Sequence, residues 1–123
     1  SSSAADKTPA EKLAQVGDTV NFDFDSAELT VSARSTLNRQ AAFLSLNPDL
    51  MMVIEGHADE RGTREYNLAL GDRRATAVRD YLVAKGINSA RVRSVSYGKE
   101  RPAVAGSDEA AWAKNRRAAT VLN

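Results

Sequence analysis

The densest group of side chains that could carry out chemistry lies in the stretch GHADERGTREYN, residues 56–67. It places an imidazole, several carboxylates and two guanidinium groups between a short apolar run and a longer helical pattern. A rigid scaffold often presents its binding residues at such a junction. The stretch could therefore form a metal site, a catalytic centre or a charged binding pocket.

A metal site here would use His57, Asp59 and Glu60. The sequence gives this reading little support, because the chain has one histidine and no cysteine. It therefore lacks the paired histidines of a His-Glu-x-x-His helix and the cysteine clusters that commonly bind metals. We expect no metal and no cofactor.

A catalytic centre has equally little support. Nucleophilic catalysis needs a nucleophile beside a base that a third group orients, and no Gly-x-Ser-x-Gly motif is present. Asp59 and Glu60 are neighbours in sequence, so in an extended segment their carboxylates point to opposite sides. The sequence predicts a protein that is not an enzyme, with a metal-dependent peptidase as the distant alternative.

A binding pocket could instead combine Asp59 with Arg74, fifteen residues later. Asp59 follows a predicted strand, and Arg74 shares one face of a predicted helix with Asn67 and Leu70. If the chain doubles back, the acid and the guanidinium meet and could hold a ligand that carries both an ammonium and a carboxylate. Two simpler alternatives stay open: the pair bridges for stability, or the stretch is a solvated loop with helix caps.

Hydrophobic periodicity supplies the elements that would position these residues. The predicted strands are 20–24, 50–54, 91–97 and 118–122, and the predicted helices are 32–46, 64–85 and the short 108–114. Ser32 is the expected N-cap of the first helix, and Gly86 is the expected C-terminal cap of the second. The order β-α-β-α-β-(short α)-β predicts an α/β (α+β) sandwich, in which helices cover one face of a mixed four-stranded sheet.

Length and composition restrict the class of protein. The 123 residues suit one domain, which we expect over residues 16–123. The small and polar residues 1–15 predict a flexible N-terminal tether. No apolar run reaches the roughly 20 residues of a membrane-spanning helix. No signal peptide is visible, so an exported protein would be represented here in processed or truncated form.

The charge balance argues against nucleic-acid binding. Seventeen basic and sixteen acidic residues give a net charge of +1, whereas a nucleic-acid-binding domain usually has a marked basic excess. Aromatic residues are also not interleaved with the arginines that would be candidates for such a role, namely Arg91, Arg93, Arg116 and Arg117. We interpret these arginines as solvated or structural.

Four segments resemble one known family: VNFDFDSAEL (20–29), IEGHADERGTREYNLALGDRRATAVRDYL (54–82), SYGKERP (96–102) and NRRA (115–118). They are similar to the outer-membrane-protein-A-like peptidoglycan-binding family, and within it to the lipoprotein branch. The resemblance covers nearly all of the chain from Val16 onward. One departure is Gly71, where the wider family often has Ser; glycine costs roughly 1 kcal/mol in a helix interior, but the lipoprotein branch commonly accepts it.

The resemblance implies a domain that binds peptidoglycan without cleaving it. In the family, an Asp and an Arg clamp the free amino-acid centre of meso-diaminopimelate in the stem peptide. These residues correspond to Asp59, which would take the ammonium, and Arg74, which would take the carboxylate. Replacing Arg74 with Glu is expected to abolish binding and to leave the fold intact.

The resemblance also implies which residues surround this pair. The loop after the first strand would line the pocket, largely through backbone groups of Phe24, Asp25, Ser26 and Ala27. Asn67 and Leu70 would form its wall. The closing motif of the family corresponds to Asn115, Arg116 and Arg117, which would support either the site or the fold.

The lipoprotein branch implies a location on the periplasmic face of the outer membrane. Its members are anchored there by a lipidated N-terminal Cys, which this sequence lacks, and they link the membrane to the cell wall. They also bind the β-propeller protein of the Tol system through a surface that overlaps the peptidoglycan pocket, so the two partners are expected to exclude each other. The nearest alternative is the wall-anchoring domain of another family member, a porin or a flagellar stator.

Overall fold

The computed structural model describes residues 7–123 and contains one four-stranded sheet. In chain order, the elements are α1 (Pro9–Val16), β1 (Thr19–Asn21), α2 (Val31–Leu46), β2 (Met52–His57), α3 (Arg64–Ala84), a 3-10 turn (Ser89–Arg91), β3 (Val92–Gly98), α4 (Glu109–Asn115) and β4 (Arg117–Leu122). The strand order across the sheet is β1-β4-β2-β3. β2 and β3 are parallel, whereas β4 is antiparallel to both β1 and β2. The sheet is therefore mixed, and the predicted fold class is confirmed.

The core lies between the sheet and the two long helices. In β2, Met52 and Ile54 are buried while Val53 and Glu55 are only partly covered, the alternation expected of a strand with one face on the core. The fully buried leucines and valine that meet this face from α2 and α3 are Leu37, Leu44, Val78 and Leu82. Burying one such side chain stabilises the fold by roughly 1.5–3 kcal/mol. Within residues 7–123, no helix combines the length and the apolar character that crossing a bilayer requires.

A close contact between Gly56 and Gly71 sets the position of α3 on the sheet. A Cβ atom on Gly56 would collide with the Gly71 carbonyl oxygen, and a Cβ atom on Gly71 would collide with Ser96 Oγ. Because no side chain fits between helix and strand, glycine at position 71 is required despite its low helix propensity. The contact brings the first turns of α3 over the end of β2.

The structure departs from the predicted flexible tether at Pro9, where α1 begins. Thr8 Oγ1 accepts the N–H of Glu11 at 3.1 Å, and Glu11 Oε1 accepts the N–H of Thr8 at 2.8 Å; this capping box starts the helix. Leu13 is 2% exposed and lines a small cavity with Thr120 to Leu122 of β4. A single large apolar residue in a polar run shows no periodicity, so the sequence did not predict this helix. Residues 1–6 of the predicted tether lie outside the described residues.

β1 is shorter than predicted, because the chain leaves the sheet after Asn21. The N–H of Phe22 still donates to the Arg116 carbonyl at 2.9 Å. The chain then turns through Asp25, whose φ of 54° lies in the left-handed region. As a result Phe22 is buried in the core, whereas Phe24 is 61% exposed at the surface.

Three other element boundaries also differ from the prediction or refine it. The N-cap of α2 is Thr30 rather than Ser32, since Thr30 Oγ1 accepts the N–H of Ala33 at 3.0 Å. β2 continues to His57, because it pairs with β3 and β4 along its whole length. Gly86 follows the end of α3 with a φ of 103°, the conformation that suits its predicted capping role.

Candidate functional site

A cavity of about 240 Å³ opens beside the end of β2. Three segments form it: the loop after β1, the loop after β2 and the first turns of α3. Its lining residues are Phe24, Asp25, Asp59, Arg61, Gly62, Tyr66, Asn67 and Leu70. Five of the eight predicted binding residues therefore lie on its wall, whereas Ser26, Ala27 and Arg74 do not.

Asp59 is the buried acid of this cavity, with a side chain that is 6% exposed. Its Oδ1 accepts the backbone N–H of Arg61 at 3.0 Å and Nε–H of the same residue at 3.1 Å, and Oδ2 accepts Nη2–H at 2.8 Å. Arg116 Nη1 lies 3.7 Å from Oδ2. Burial alone would raise the pKa of Asp59, but the hydrogen bonds from Arg61 and the two guanidinium charges outweigh it and lower that pKa below its ordinary value. Asp59 is therefore ionised at neutral pH.

Arg61 is a functional candidate that the sequence reasoning did not single out. Its guanidinium carbon lies 4.2 Å from the ring centroid of Phe24 and 4.0 Å from that of Trp112, a cation between two aromatic faces. Trp112 is in turn fixed by its indole N–H, which donates to Glu60 Oε2 at 2.8 Å. The only local signal for this arrangement is an Arg two residues after the acid, because Phe24 and Trp112 come from distant parts of the chain.

Arg74 lies behind the cavity wall and is fully buried, with 0% exposure. Its guanidinium donates to three backbone carbonyls: Nε–H to Ser26 at 2.8 Å, Nη1–H to His57 at 2.9 Å and Nη2–H to Asp23 at 3.0 Å. Burial lowers the pKa of Arg74 to about 10, while the charge of Asp59 acts to raise it. The residue is thus a protonated cation that fastens the loop after β1 to the end of β2.

This placement changes two expectations for the pair of Asp59 and Arg74. Within residues 7–123, the ion pairs of Asp59 are with Arg61 and Arg116, so the alternative of a direct stabilising bridge to Arg74 is wrong. The expectation that Arg74→Glu leaves the fold intact also conflicts with the structure. Glutamate would place a second acid beside Asp59 and leave three carbonyls without their donor.

The closing motif is divided between the fold and the site. Asn115 Oδ1 accepts the N–H groups of Ala103 and Val104 at 2.7 and 3.0 Å, which holds the loop before α4. Arg116 faces the site: its Nε–H donates to the Phe22 carbonyl at 2.8 Å, and Nη1 approaches Asp59. Arg117 donates to the Arg101 carbonyl at 3.1 Å, away from the cavity. The three neighbours thus have different environments.

The wall residue Asn67 holds the loop after β2. Asn67 is buried, and its Nδ2–H donates to the Arg61 carbonyl at 2.8 Å, so it fixes the loop backbone.

His57 packs against Tyr97 with 5.6 Å between ring centroids. Burial, followed by the charges of Arg117 and Arg101, lowers the pKa of His57 to about 4. In the part of the chain that the structure describes, no three acidic or histidine side chains are grouped to hold a metal.

This fold and site define a member of a known class. A model of the OmpA family matches residues 21–116, and the chain belongs to the OmpA family. It is 56% identical over 107 residues to the peptidoglycan-associated lipoprotein of Rhizobium meliloti (strain 1021), covering 87% of this chain and 61% of that protein. It is 54% identical over 108 residues to the peptidoglycan-associated lipoprotein of Mesorhizobium japonicum, covering 88% and 64%.

A solved structure of a peptidoglycan-associated lipoprotein is also similar to this chain in fold. The crystal structure of the peptidoglycan-associated lipoprotein from Burkholderia pseudomallei is 46% identical with a TM-score of 0.83, over 86% of this chain and 90% of that chain. The chain spans only about three fifths of the length of the Rhizobium and Mesorhizobium relatives, 61% and 64%.

Proposed function

We propose that the chain binds peptidoglycan without cleaving it and recognises the amino-acid centre of meso-diaminopimelate in the stem peptide. The observation that carries the proposal is the ionised carboxylate of Asp59 on the wall of a cavity of about 240 Å³. Such a ligand centre bears one ammonium and one carboxylate, so it needs an anionic and a cationic side chain in the same pocket. Relatives that are called peptidoglycan-associated lipoproteins support the same reading.

In this proposal Asp59 binds the ammonium. Its side chain is 6% exposed, and a charge-assisted hydrogen bond is stronger where water is largely excluded. Such a bond contributes roughly 1.5–3 kcal/mol. Leu70 and Phe24 supply apolar walls that fit the methylene chain of the ligand. Asn67 keeps the loop that carries Arg61 in place.

Arg74 provides the positive charge for the ligand carboxylate. Three of its N–H groups donate to backbone carbonyls, and a guanidinium has five, so two are left for a ligand. Because Arg74 is fully buried beneath the loop after β1, the carboxylate reaches it only when the segment from Phe24 to Ala27 shifts. Such a shift would break the hydrogen bond from Arg74 Nε–H to the Ser26 carbonyl, which holds this segment in the structure.

We further propose that the domain links the outer membrane to the cell wall from the periplasmic side. A lipidated cysteine ahead of residue 1 would anchor it, as the lipoprotein relatives suggest. The β-propeller protein of the Tol system would bind a surface that overlaps the cavity, where Phe24 and Tyr66 are 61% and 43% exposed. Aromatic residues of this kind are enriched in protein interfaces. Wall and propeller would then exclude each other.

Cosedimentation with purified sacculi tests the central proposal. The chain should pellet with sacculi whose stems contain meso-diaminopimelate and much less with sacculi whose stems contain lysine, which lacks the second carboxylate. Prolonged incubation should release no soluble muropeptides. Equal retention on both kinds of sacculi would contradict the assigned ligand, and released fragments would contradict binding without cleavage.

A further inference from the structure

The guanidinium of Arg61 occupies the position at Asp59 that a ligand ammonium would take. Arg61 donates to both carboxylate oxygens through its side chain, at 3.1 Å from Nε to Oδ1 and 2.8 Å from Nη2 to Oδ2. Its backbone N–H takes a second position on Oδ1 at 3.0 Å. A carboxylate offers about four acceptor positions, and Arg116 faces the remaining one at 3.7 Å. An incoming ammonium must therefore replace the guanidinium of Arg61.

The contacts of Arg61 allow its side chain to move away from Asp59 while its backbone remains fixed. The backbone is fixed on both sides, because its N–H donates to Asp59 and its carbonyl accepts from Asn67 at 2.8 Å. The side chain is 32% exposed, and in the described residues its hydrogen bonds go to Asp59 alone. Stacking between Phe24 and Trp112 holds it from the two flat sides. Rotation of this one side chain would remove both of its hydrogen bonds to the acid.

We propose that Arg61 acts as a gate on Asp59 and so determines specificity: only a ligand with its own positive charge displaces the Arg61 side chain from the carboxylate. This proposal rests on the proposed function. The exchange replaces one cation on Asp59 by another, so the nearly buried carboxylate is never left unpaired. A ligand whose amine has been acylated brings no cation, and it leaves Arg61 in place. The gate therefore explains how a small cavity distinguishes a free amino-acid centre from the many amides of a peptide stem.

The sequence contains one tryptophan, Trp112, so its fluorescence reports directly on the guanidinium stacked against it. We suggest titrating the chain with a soluble muropeptide that carries a meso-diaminopimelate stem, and with the same muropeptide after N-acetylation of its free amine. Calorimetry measures binding independently of the emission. The free-amine muropeptide should bind and change the Trp112 emission, while the acetylated form should do neither.

Variants separate the gate from the pocket itself. Arg61→Gln should bind the free-amine muropeptide at least threefold more tightly, lose the ligand-dependent change in emission and discriminate less against the acetylated form. Arg61→Lys keeps the charge with a single-point contact and should fall between this variant and the parent. The matched control is Arg64→Gln, since Arg64 is 62% exposed and pairs only loosely with Glu100 at 3.6 Å; its binding should equal that of the parent.

The outcomes distinguish the two levels of the proposal. If the parent chain binds neither sacculi nor the muropeptide, the proposed function fails. If the parent binds without a change in Trp112 emission, the gate fails and the proposed function stands. The gate also fails if both Arg61 variants, shown to be folded by circular dichroism, bind at least threefold more weakly than the parent.

Discussion

Arg74 donates to the carbonyl of His57 at 2.9 Å, two residues before Asp59, yet the carboxylate of Asp59 pairs with Arg61 at 2.8 Å. The two charged groups therefore share one end of β2 without forming an ion pair with each other. One holds the backbone that surrounds the cavity, and the other faces the cavity. This division of roles leads to separate predictions for stability and for binding.

Arg74→Lys should destabilise the fold although it keeps the charge. Lysine cannot donate at once to the carbonyls of Asp23, Ser26 and His57 in the geometry of a guanidinium. Leaving such buried acceptors unpaired should cost roughly 2–4 kcal/mol. Urea denaturation measures the change, with Arg73→Lys as control because Arg73 is exposed on the same helix. Equal midpoints for the two variants would refute the structural role of Arg74.

Asp59→Asn should weaken binding to diaminopimelate-type sacculi by roughly tenfold or more, the effect of losing one hydrogen bond to a charged group. The amide keeps an oxygen for the backbone N–H of Arg61, so the fold should persist. Glu60→Gln is the matched control, since Glu60 carries the neighbouring carboxylate but bonds to Trp112. If both variants bind equally well in cosedimentation, Asp59 is not the ammonium partner.

The stability of the fold should depend on pH through His57. Its pKa is about 4 in the folded chain against an ordinary value of 6.5, so between these values the unfolded chain binds a proton that the folded chain does not. Stability should therefore fall as the pH drops from 6.5 towards 4, by about 2–3 kcal/mol over the whole window.

Urea midpoints at pH 7 and pH 5 test the contribution of His57, because the ordinary pKa values of Asp and Glu lie below this range. The urea midpoint of the parent should fall, and that of His57→Gln should stay nearly constant. A pH dependence between 7 and 5 that survives in His57→Gln would count against His57 as its source.

Asp59 contributes to stability in a different pH range. Its folded pKa is lowered, so the stability it contributes is present above its ordinary pKa and is lost as the pH falls through the folded value.

Gly71→Ala should destabilise the protein, the opposite of the usual effect in a helix. Alanine ordinarily gains about 1 kcal/mol over glycine in a helix interior, but here its Cβ would meet Ser96 Oγ and the Gly56 carbonyl. Forcing atoms into a packed contact costs roughly 1–3 kcal/mol. Asp72→Ala, at the adjacent exposed position, should be neutral or slightly stabilising. Thermal denaturation of the two variants decides between these signs.

Much of the fold could be predicted from periodicity, because alternation and three- or four-residue steps record which side of an element faces the core. The four strands and the helices α2, α3 and α4 follow from it. α1 could not be predicted in this way, since its start depends on a capping box and its buried side chain, Leu13, stands in an otherwise polar run. The end of β1 was misplaced because the alternation from Val20 to Phe24 continues after the backbone has left the sheet.

The candidate site was only partly predictable. A strand exit and one helix face made a shared pocket for Asp59, Asn67 and Leu70 possible, and the family resemblance assigned them to it; all three line the cavity. The roles of Arg61 and Trp112 depend on residues that are 51 positions apart in sequence, the difference between 112 and 61, and no local pattern encodes that contact. Arg74 was identified as part of the site, but its complete burial follows from the loop that covers it.

The position of α1 has a mechanical consequence. Leu13 lines a cavity together with Thr120 to Leu122 at one end of β4, whereas Arg116, just before the other end, lies 3.7 Å from Asp59. The six residues of β4 separate these points by roughly 17–20 Å. Tension applied between the N-terminal helix and the cavity would enter the sheet through β1, which follows α1 in the chain and pairs with β4, and would run lengthwise along the strands, across their hydrogen bonds. All the bonds of that ladder would then share the load in shear, instead of opening one after another.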